Sequence, residues 1–588
     1  MRRMMLSWAA FVLVCGGATA AELARVGRKI DDFGLRDYRG QMHSLSQLAD
    51  SKLVVVAFLG TDCPLAKLYG PRLAEVSKQF AERGVTFIGI NSNQQDSNTE
   101  VAAHARIHGI EFPVLKDLGN EVADRFGAVR TPEVFVLDAD RVVRYWGRID
   151  DQYGVGYQRP EATHCDLVAA LEELLAGRTV SQPETNAPGC YIGRVQKVEA
   201  KGDVTYSKQI ARIIDKHCVE CHREGEIAPF PLRSYEDVVG WAETILEVVN
   251  DGRMPPWSAS PEFGHFKNNP RLDEEERQTL EAWVRNGAPQ GNSADMPPAR
   301  EFTVGWGIPQ PDQIVHMSDQ PYTVPAEGVV EYQYFTVDPG WTEDKWILAS
   351  EARPDNRAVV HHIICFFEPP NSSKDVRGRG GLTGYAPGMP PIEHSEGAAI
   401  FVPAGSKLVF QMHYTPNGSV QKDRSYVGIK FADPDSVKFV ARGGLAPNFL
   451  FEIPAGADNH QVVSKYKFRR ETLLTSLTPH MHLRGKSFRY EVAYPDGTKE
   501  VLLDVPRYDF NWQLRYEFVE PKRMPAGTRM VCTAHFDNSA NNLANPDPTK
   551  PVRWGDQTWE EMMIGWFSTL SPRGEPEEEE ESSGAGGE

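Results

Sequence analysis

Three textures in this 588-residue chain predict a multidomain protein: an α/β unit first, a small all-α unit next, and an all-β half last. The β-branched apolar run Leu53 to Leu59 precedes a helical pattern and a second run, Val85 to Ile90, which is the order of a βαβ unit. Helical spacing then recurs on either side of Cys218-Val219-Glu220-Cys221-His222, over Val204 to Lys216 and again from Asp273. From about Trp306, apolar and polar residues alternate between frequent Pro and Gly, as in strands. A prior of ~150 residues per domain gives about four units, so the all-β half is expected to divide in two.

The bulk properties narrow the function classes. Hydrophobic residues make up 41% and aromatic residues 10%, which argues against wholesale disorder. A formal charge of -18 disfavours nucleic acid or an anionic membrane as partner. Part of that charge lies in an acidic tail, residues 572–588, expected to be disordered and given no catalytic role. Residues 1–20 read as a secretory signal: Arg2 and Arg3, an apolar run from Met4 to Val14, and Ala18-Thr19-Ala20. The apolar run is too short to span a bilayer, and no later segment has the length or apolarity of a transmembrane helix. The expected location is therefore exported, periplasmic or secreted.

In the first unit Cys63 follows the strand Leu53 to Leu59 and opens a helix with Leu73, Val76 and Phe80 on one face. A helix N-terminus favours thiolate. Thr131-Pro132 precedes the strand Glu133 to Leu137. Residues 24–190 resemble the thioredoxin-like redoxins of the AhpC/TSA type, whose proline before this strand is cis and faces the catalytic cysteine; Pro132 takes that position. This sequence departs from the dithiol pattern, because Cys63-Pro64-Leu65-Ala66 lacks the second cysteine, and the peroxidase pattern before the cysteine is absent as well. Two readings of Cys63 stay open: a redox thiol resolved by Cys165 or Cys190, or a buried structural thiol.

Cys218-x-x-Cys221-His222 is the attachment motif of a c-type haem, with two thioether links and an adjacent imidazole for the iron. A zinc site would want a second Cys/His pair nearby, and His217 and His265 repeat no ligand pattern. Met254 lies in a proline-stiffened loop, Arg253-Met254-Pro255-Pro256-Trp257. A last helix follows, with Asp273 and Glu276 in capping-box relation and Leu280, Trp283 and Val284 as its apolar stripe. Residues 204–292 thus resemble a small monohaem cytochrome c with His222 proximal and Met254 distal; core packing is the alternative reading of Met254. A His/Met pair leaves no open iron position and suits electron transfer.

The β half carries His361-His362, Gln411-Met412-His413, His480-Met481-His482 and Glu561-Met562. His480 and His482, two apart, face the same way on a strand, whereas adjacent His361 and His362 diverge unless a bulge, a twist or different ring nitrogens bring them together. Five imidazoles and a thioether suit copper cycling between oxidation states, and no carboxylate of the kind zinc or iron would recruit is embedded in the three histidine motifs. Residues 306–571 resemble the type II, ascorbate-dependent copper monooxygenases, which fold as two tandem β-sandwiches, here 306–440 and 441–571. The resemblance implies two copper ions: an electron-accepting one on His361, His362 and His413, and an oxygen-activating one on His480, His482 and Met562. The residues by which the peptide-hydroxylating members hold a substrate carboxylate are replaced here by Thr478, Ile564 and Trp566, which disfavours peptide amidation. Cys365 and Cys532 are the region's two cysteines, and their pairing is left open.

As a whole, the chain resembles exported bacterial fusions of a redoxin, a cytochrome c and a copper monooxygenase-like module. The resemblance implies hydroxylation of a C–H bond in a small-molecule substrate with O₂, by Met562, His480 and His482. Electrons would come through a covalently bound haem c in place of, or beside, an ascorbate-like reductant or a redox partner protein. The alternatives are a non-catalytic copper or electron-transfer protein, and a thiol oxidoreductase in which the other units dock partners.

Overall fold

Leu53–Phe58, buried at every residue, lies inside a seven-stranded sheet and pairs in parallel with Val85–Asn91, as the two apolar runs require. In the computed structural model the described residues are 25–195, 202–224, 226, 228–300, 305–326, 330–370, 372, 379–386, 389–416 and 420–574. The signal segment 1–20 and the acidic run of the tail fall outside them. Helix Pro64–Ala81 crosses between the two strands, with Cys63 at its N-cap and proline in the first helical position. Strand Glu133–Leu137 follows a cis Thr131–Pro132 peptide and pairs antiparallel with Leu53–Phe58. Cys63 and Thr131 therefore stand at the same end of neighbouring strands.

The helical unit contains Ala211–His217, which ends at Cys218, then Tyr235–Val239, Ala242–Asn250 and Glu274–Arg285. The last helix has the expected capping box: Asp273 Oδ1 accepts from Glu276 N at 2.8 Å, and Glu276 Oε2 from Asp273 N at 3.0 Å. Leu280 and Trp283 of its apolar stripe are buried with Ile213, Ile214 and Trp241. His217 is tied off at both ring nitrogens, by Pro270 O at 2.8 Å and Glu276 Oε2 at 2.9 Å, so it serves the packing of this unit.

The β half differs from two separate sandwiches. One nine-stranded sheet runs through it in the order Gln313–His316, Tyr426–Phe431, Lys345–Arg353, Ala398–Val402, Phe439–Pro447, Ile564–Pro572, Thr472–His480, Tyr516–Met524, with Ile392–Glu393 pairing beside Lys345–Arg353. A four-stranded sheet containing Val360–Glu368 and Lys407–Tyr414 covers one end, and another containing His460–Lys467 and Gly485–Ala493 covers the other. Each end has its own core. The joint is a parallel pairing of Ala398–Ile400 with Phe439–Ala441. The expected division at 440/441 thus falls inside a strand, and Ile564–Pro572 carries the sheet into what was expected to be the tail. Cys365 lies in one core and Cys532 in the other, both as free thiols.

The segment after Met254 fastens the helical unit to the second β core. Trp257 packs edge-on against Tyr516 at 4.7 Å, and Phe266 lies tilted against Phe518 at 5.3 Å. Backbone bonds run beside the aromatic contacts, Ser260 N to Asp504 O at 2.7 Å and Val519 N to His265 O at 3.0 Å. Deleting a buried indole of this kind costs about 3–5 kcal/mol. Trp257→Ala is expected to lower the thermal midpoint of the β half and to open residues 257–268 to limited proteolysis, read by mass spectrometry, while the Asp273-capped helix stays protected.

Candidate functional site

His361 stands where the pairing of Val360–Glu368 with Lys407–Tyr414 slips by one residue, between Val360 and His362. This bulge turns adjacent histidines toward one point. Nδ1 of His361 lies 3.2 Å from Nδ1 of His362 and 3.2 Å from Nδ1 of His413. A single ring nitrogen carries either one proton or one lone pair, so hydrogen bonding satisfies just one of those two contacts. A shared cation satisfies both: two nitrogens bound at ~2.0 Å and ~105° apart stand about 3.2 Å from each other. Burial holds His361 down to about 4, and it holds His362 and His413 well below the usual imidazole range. All three are therefore neutral near pH 7, the form that ligates metal. Gln411, two residues before His413, donates to Tyr334 OH at 2.6 Å.

The second pair is arranged differently. His480 is the last residue of its strand and His482 lies just past it, with ring centroids 5.2 Å apart. Gln513 Oε1 faces His480 Nδ1 at 2.7 Å, and Glu560 O faces His482 Nδ1 at 3.3 Å. Both oxygens accept, so the protons sit on Nδ1 and the Nε2 lone pairs are free. His482 Nε2 is buried with no protein partner. Burial lowers these imidazoles as well, to about 4 for His480 and about 3 for His482.

His480 pairs with Ile564 at the end of the ladder, and Met562 lies two residues before Ile564 on the neighbouring segment. The preceding Glu561 is wholly buried and accepts from His482 N at 2.8 Å and Arg484 N at 2.6 Å. Its carboxylate thus clamps the backbone of the His480–His482 turn. Burial pushes that carboxyl up to about 8, against the pull of the amides and Arg484. Thr478 and Trp566 are cross-strand neighbours in the same ladder.

The two histidine sets meet. Tyr332 lies 5.5 Å from His362, 5.0 Å from His413 and 6.4 Å from His482, ring to ring. Phe510 stacks on His361 at 5.4 Å and stands 5.9 Å from His482. Sequence reasoning missed Tyr332, Phe510 and Gln513, and named Glu561 beside Met562 without giving it a role. The aromatic run Tyr508-Asp-Phe-Asn-Trp512 in a loop was the one local signal available. A cavity of about 2310 Å³ borders the cluster, with His361, His413, Phe510, Trp559, Met254 and Leu65 among its lining residues.

At the Cys218–His222 motif, His222 Nδ1 faces Phe230 O at 3.1 Å, which leaves Nε2 as the free lone pair. Phe230 in turn stacks on Trp241 at 4.0 Å. Cys218 and Cys221 are free thiols, and burial raises both above the ordinary thiol range, Cys218 to about 12. The donor set fits thioether attachment and a proximal imidazole. Met254 is half-buried in its loop on the cavity wall.

Cys63 is wholly buried, with its thiol 2.9 Å from Thr131 O. The structure brings Cys190 to it, whereas Cys165 is an exposed N-cap residue of the helix Asp166–Leu175. Burial opposes the Cys63 thiolate, but hydrogen bonds from the Cys190 thiol and amide and the Ala66 amide outweigh it and bring Cys63 down to about 6. The same contact, then burial, pushes Cys190 well above the usual range.

Residues 26–146 match the family model of AhpC/TSA, so the first unit is an AhpC/TSA thioredoxin-like domain. The chain is similar to the thiol-disulfide oxidoreductases ResA of Halalkalibacterium halodurans, 29% identical over 116 residues, and of Bacillus subtilis, 28% identical over 116 residues. These matches cover 20% and 19% of this chain and span 64% and 62% of the relatives' own length. Among solved structures, a hypothetical protein from Sinorhizobium meliloti is 32% identical, covering 29% of this chain and 94% of its own, with a TM-score of 0.27. A secreted disulfide oxidoreductase of Mycobacterium tuberculosis is 22% identical, covering 19% of this chain and 79% of its own, with a TM-score of 0.17. Among the described residues no helix is long and apolar enough to cross a membrane.

A thiol lowered to about 6 alkylates at a rate that rises with pH and levels off near pH 7, while an ordinary thiol keeps gaining toward its pKa of about 8.5. Iodoacetamide labelling of Cys63, followed by peptide mass spectrometry, is expected to show the early plateau. Cys190→Ser, which removes the thiol contact, is expected to move the midpoint upward.

Proposed function

We propose that the chain is an exported oxidoreductase whose β half is a copper-dependent, oxygen-using enzyme, served by a c-type haem and accompanied by the thiol domain. The observation that carries this reading is the meeting of His361, His362 and His413 through facing neutral nitrogens, joined to His482 through Tyr332 and Phe510, with His361 and His413 on the wall of one cavity. Copper bound there supplies one-electron chemistry toward O₂, and a haem attached at Cys218 and Cys221 supplies electron transfer.

The chain's own residues have definite roles in this reading. His361, His362 and His413 present Nδ1 for the first copper, while His480, His482 and Met562 form the second set. Gln513 and the Glu560 carbonyl hold the ring protons on Nδ1 and so aim Nε2 outward. Glu561 fixes the turn that carries both rings. Tyr332 and Phe510 close the space between the sets and limit water around them. A thioether beside two imidazoles would favour Cu(I) if copper binds there. His222, with Met254 facing the same cavity as the histidines, gives the haem unit its ligands. The substrate is a small molecule entering that cavity, and the electron source is the tethered haem or a diffusing reductant.

Metal analysis of the full chain is expected to give about two coppers and one haem iron. His413→Ala is expected to lose one copper and keep the haem, while Met562→Ala keeps copper and loses oxygen uptake with reduced haem. Gln513→Leu is expected to weaken Cu(I) binding at the second set by ~10–100-fold, measured by competition with a chromophoric chelator. A second reading, a thiol oxidoreductase with docking modules, is favoured by the AhpC/TSA match and the low Cys63 pKa. It predicts that Cys63→Ser abolishes function while His482→Ala is silent.

A further inference from the structure

We infer that Cys63 and Cys190 form a non-local dithiol–disulfide couple, and that Gly189–Tyr191 occupies the place of an extended, cysteine-bearing substrate peptide. The inference rests on the thiol chemistry of residues 26–146 and is independent of copper and haem. Cys190 and Tyr191 pair antiparallel with Thr131 and Arg130, the two residues before cis Pro132. Cys190 stands directly opposite Thr131, whose carbonyl also receives the Cys63 thiol at 2.9 Å. The close approach is built in at Gly189: its φ is +147°, and a Cβ there would lie 2.1 Å from Thr131 O. One backbone edge thus holds a second cysteine against the buried nucleophile.

The ladder is short and its anchors lie elsewhere. Two residue pairs make it, and the chain is held just beyond by Ile192 N to Val129 O at 2.9 Å and the buried Ile192 side chain, so Gly189–Tyr191 is the stretch whose opening bares Cys63. Its return is guided from the helical unit. Arg130 donates to Gly189 O at 2.6 Å and forks onto Glu247 at 2.8 and 3.2 Å, while Tyr191 N donates to Thr244 Oγ1 at 3.1 Å. When the segment leaves, the Arg130–Thr131 edge is free to pair with another extended chain. The fitting substrate class is therefore a disulfide within an extended peptide segment.

The exchange balances in two steps. The Cys63 thiolate attacks one sulfur of the substrate disulfide; an S–S bond forms to Cys63, the substrate S–S bond breaks, and the leaving thiolate takes a proton. Cys190 then gives up its proton, and its thiolate attacks Cys63 Sγ. This forms the Cys63–Cys190 disulfide and releases the second substrate thiol. The substrate disulfide is reduced to two thiols, and the pair is oxidised. An external dithiol resets it by the reverse steps.

The test incubates the full chain in graded mixtures of reduced and oxidised dithiothreitol, with trapping by alkylation and peptide mass spectrometry. The expected result is a Cys63–Cys190 cross-linked peptide lighter by two hydrogens, reversible in reductant and unchanged in Cys165→Ser. With a linear peptide disulfide as probe, Cys190→Ser is expected to accumulate a stable adduct on Cys63 that the unsubstituted chain resolves. A cross-link from Cys63 to Cys165, or both Cys63 and Cys190 fully alkylated in the most oxidising mixture, would overturn the inference. Should Cys190→Ser not fold, the unsubstituted chain and Cys165→Ser decide the matter alone. Loss of copper leaves every one of these readouts in place.

Discussion

The parallel pairing of Ala398–Ile400 with Phe439–Ala441 is the joint on which the β half depends. Through it one sheet backs both cores, so the two ends cannot rotate against each other without breaking a continuous ladder. The consequence reaches the histidines. His361, His362 and His413 come from the sheet covering one end, and His480 ends a strand of the shared sheet at the other. Their separation is then a property of the sheet, and Tyr332 and Phe510 fill what space it leaves. Buried neutral imidazoles packed this closely have no source of stability among themselves, since each loses hydration and gains at most one hydrogen bond. In the proposed function a bound cation would supply that stability.

The other units are attached to this sheet, not merely linked to it. Residues 257–268 lay aromatic side chains on the second core directly after the Met254 loop, and Arg357 reaches Glu226 near the Cys218–His222 motif at 2.7 Å. The thiol domain holds the helical unit by the Arg130–Glu247 pair and touches the β half where Arg159 reaches Leu543 O. All three line one cavity. Its wall carries Pro64, next to Cys63, Met254 of the helical unit, and His361 and His413 of the β half.

What could be read from the sequence was local. The Asp273–Glu276 cap, the strand Glu133–Leu137 and Cys63 at a helix start follow from spacing within a few residues, and a bulge was one of the three ways open to His361 and His362. The missed features join distant parts of the chain. Gln513 meets His480 across 33 positions, and Glu561 holds His482 across 79, while the choice of Cys190 over Cys165 beside Cys63 is made by the ladder to Thr131. Nothing in their immediate neighbours marks them, because a lone Gln, Glu or Cys has the same local propensity whether or not a partner waits across the fold. The fused sheet was hidden for the same reason: alternation identifies strands but is silent on which strands pair.

The central claim is that five imidazoles form one two-metal centre. Anomalous diffraction at the copper edge, on crystals of the copper-loaded full chain, tests it most directly. The account predicts two peaks, one among the Nδ1 atoms of His361, His362 and His413, the other beside Nε2 of His480 and His482 within reach of Met562 Sδ. Copper peaks confined to other parts of the molecule, with the histidine cluster empty, would contradict it.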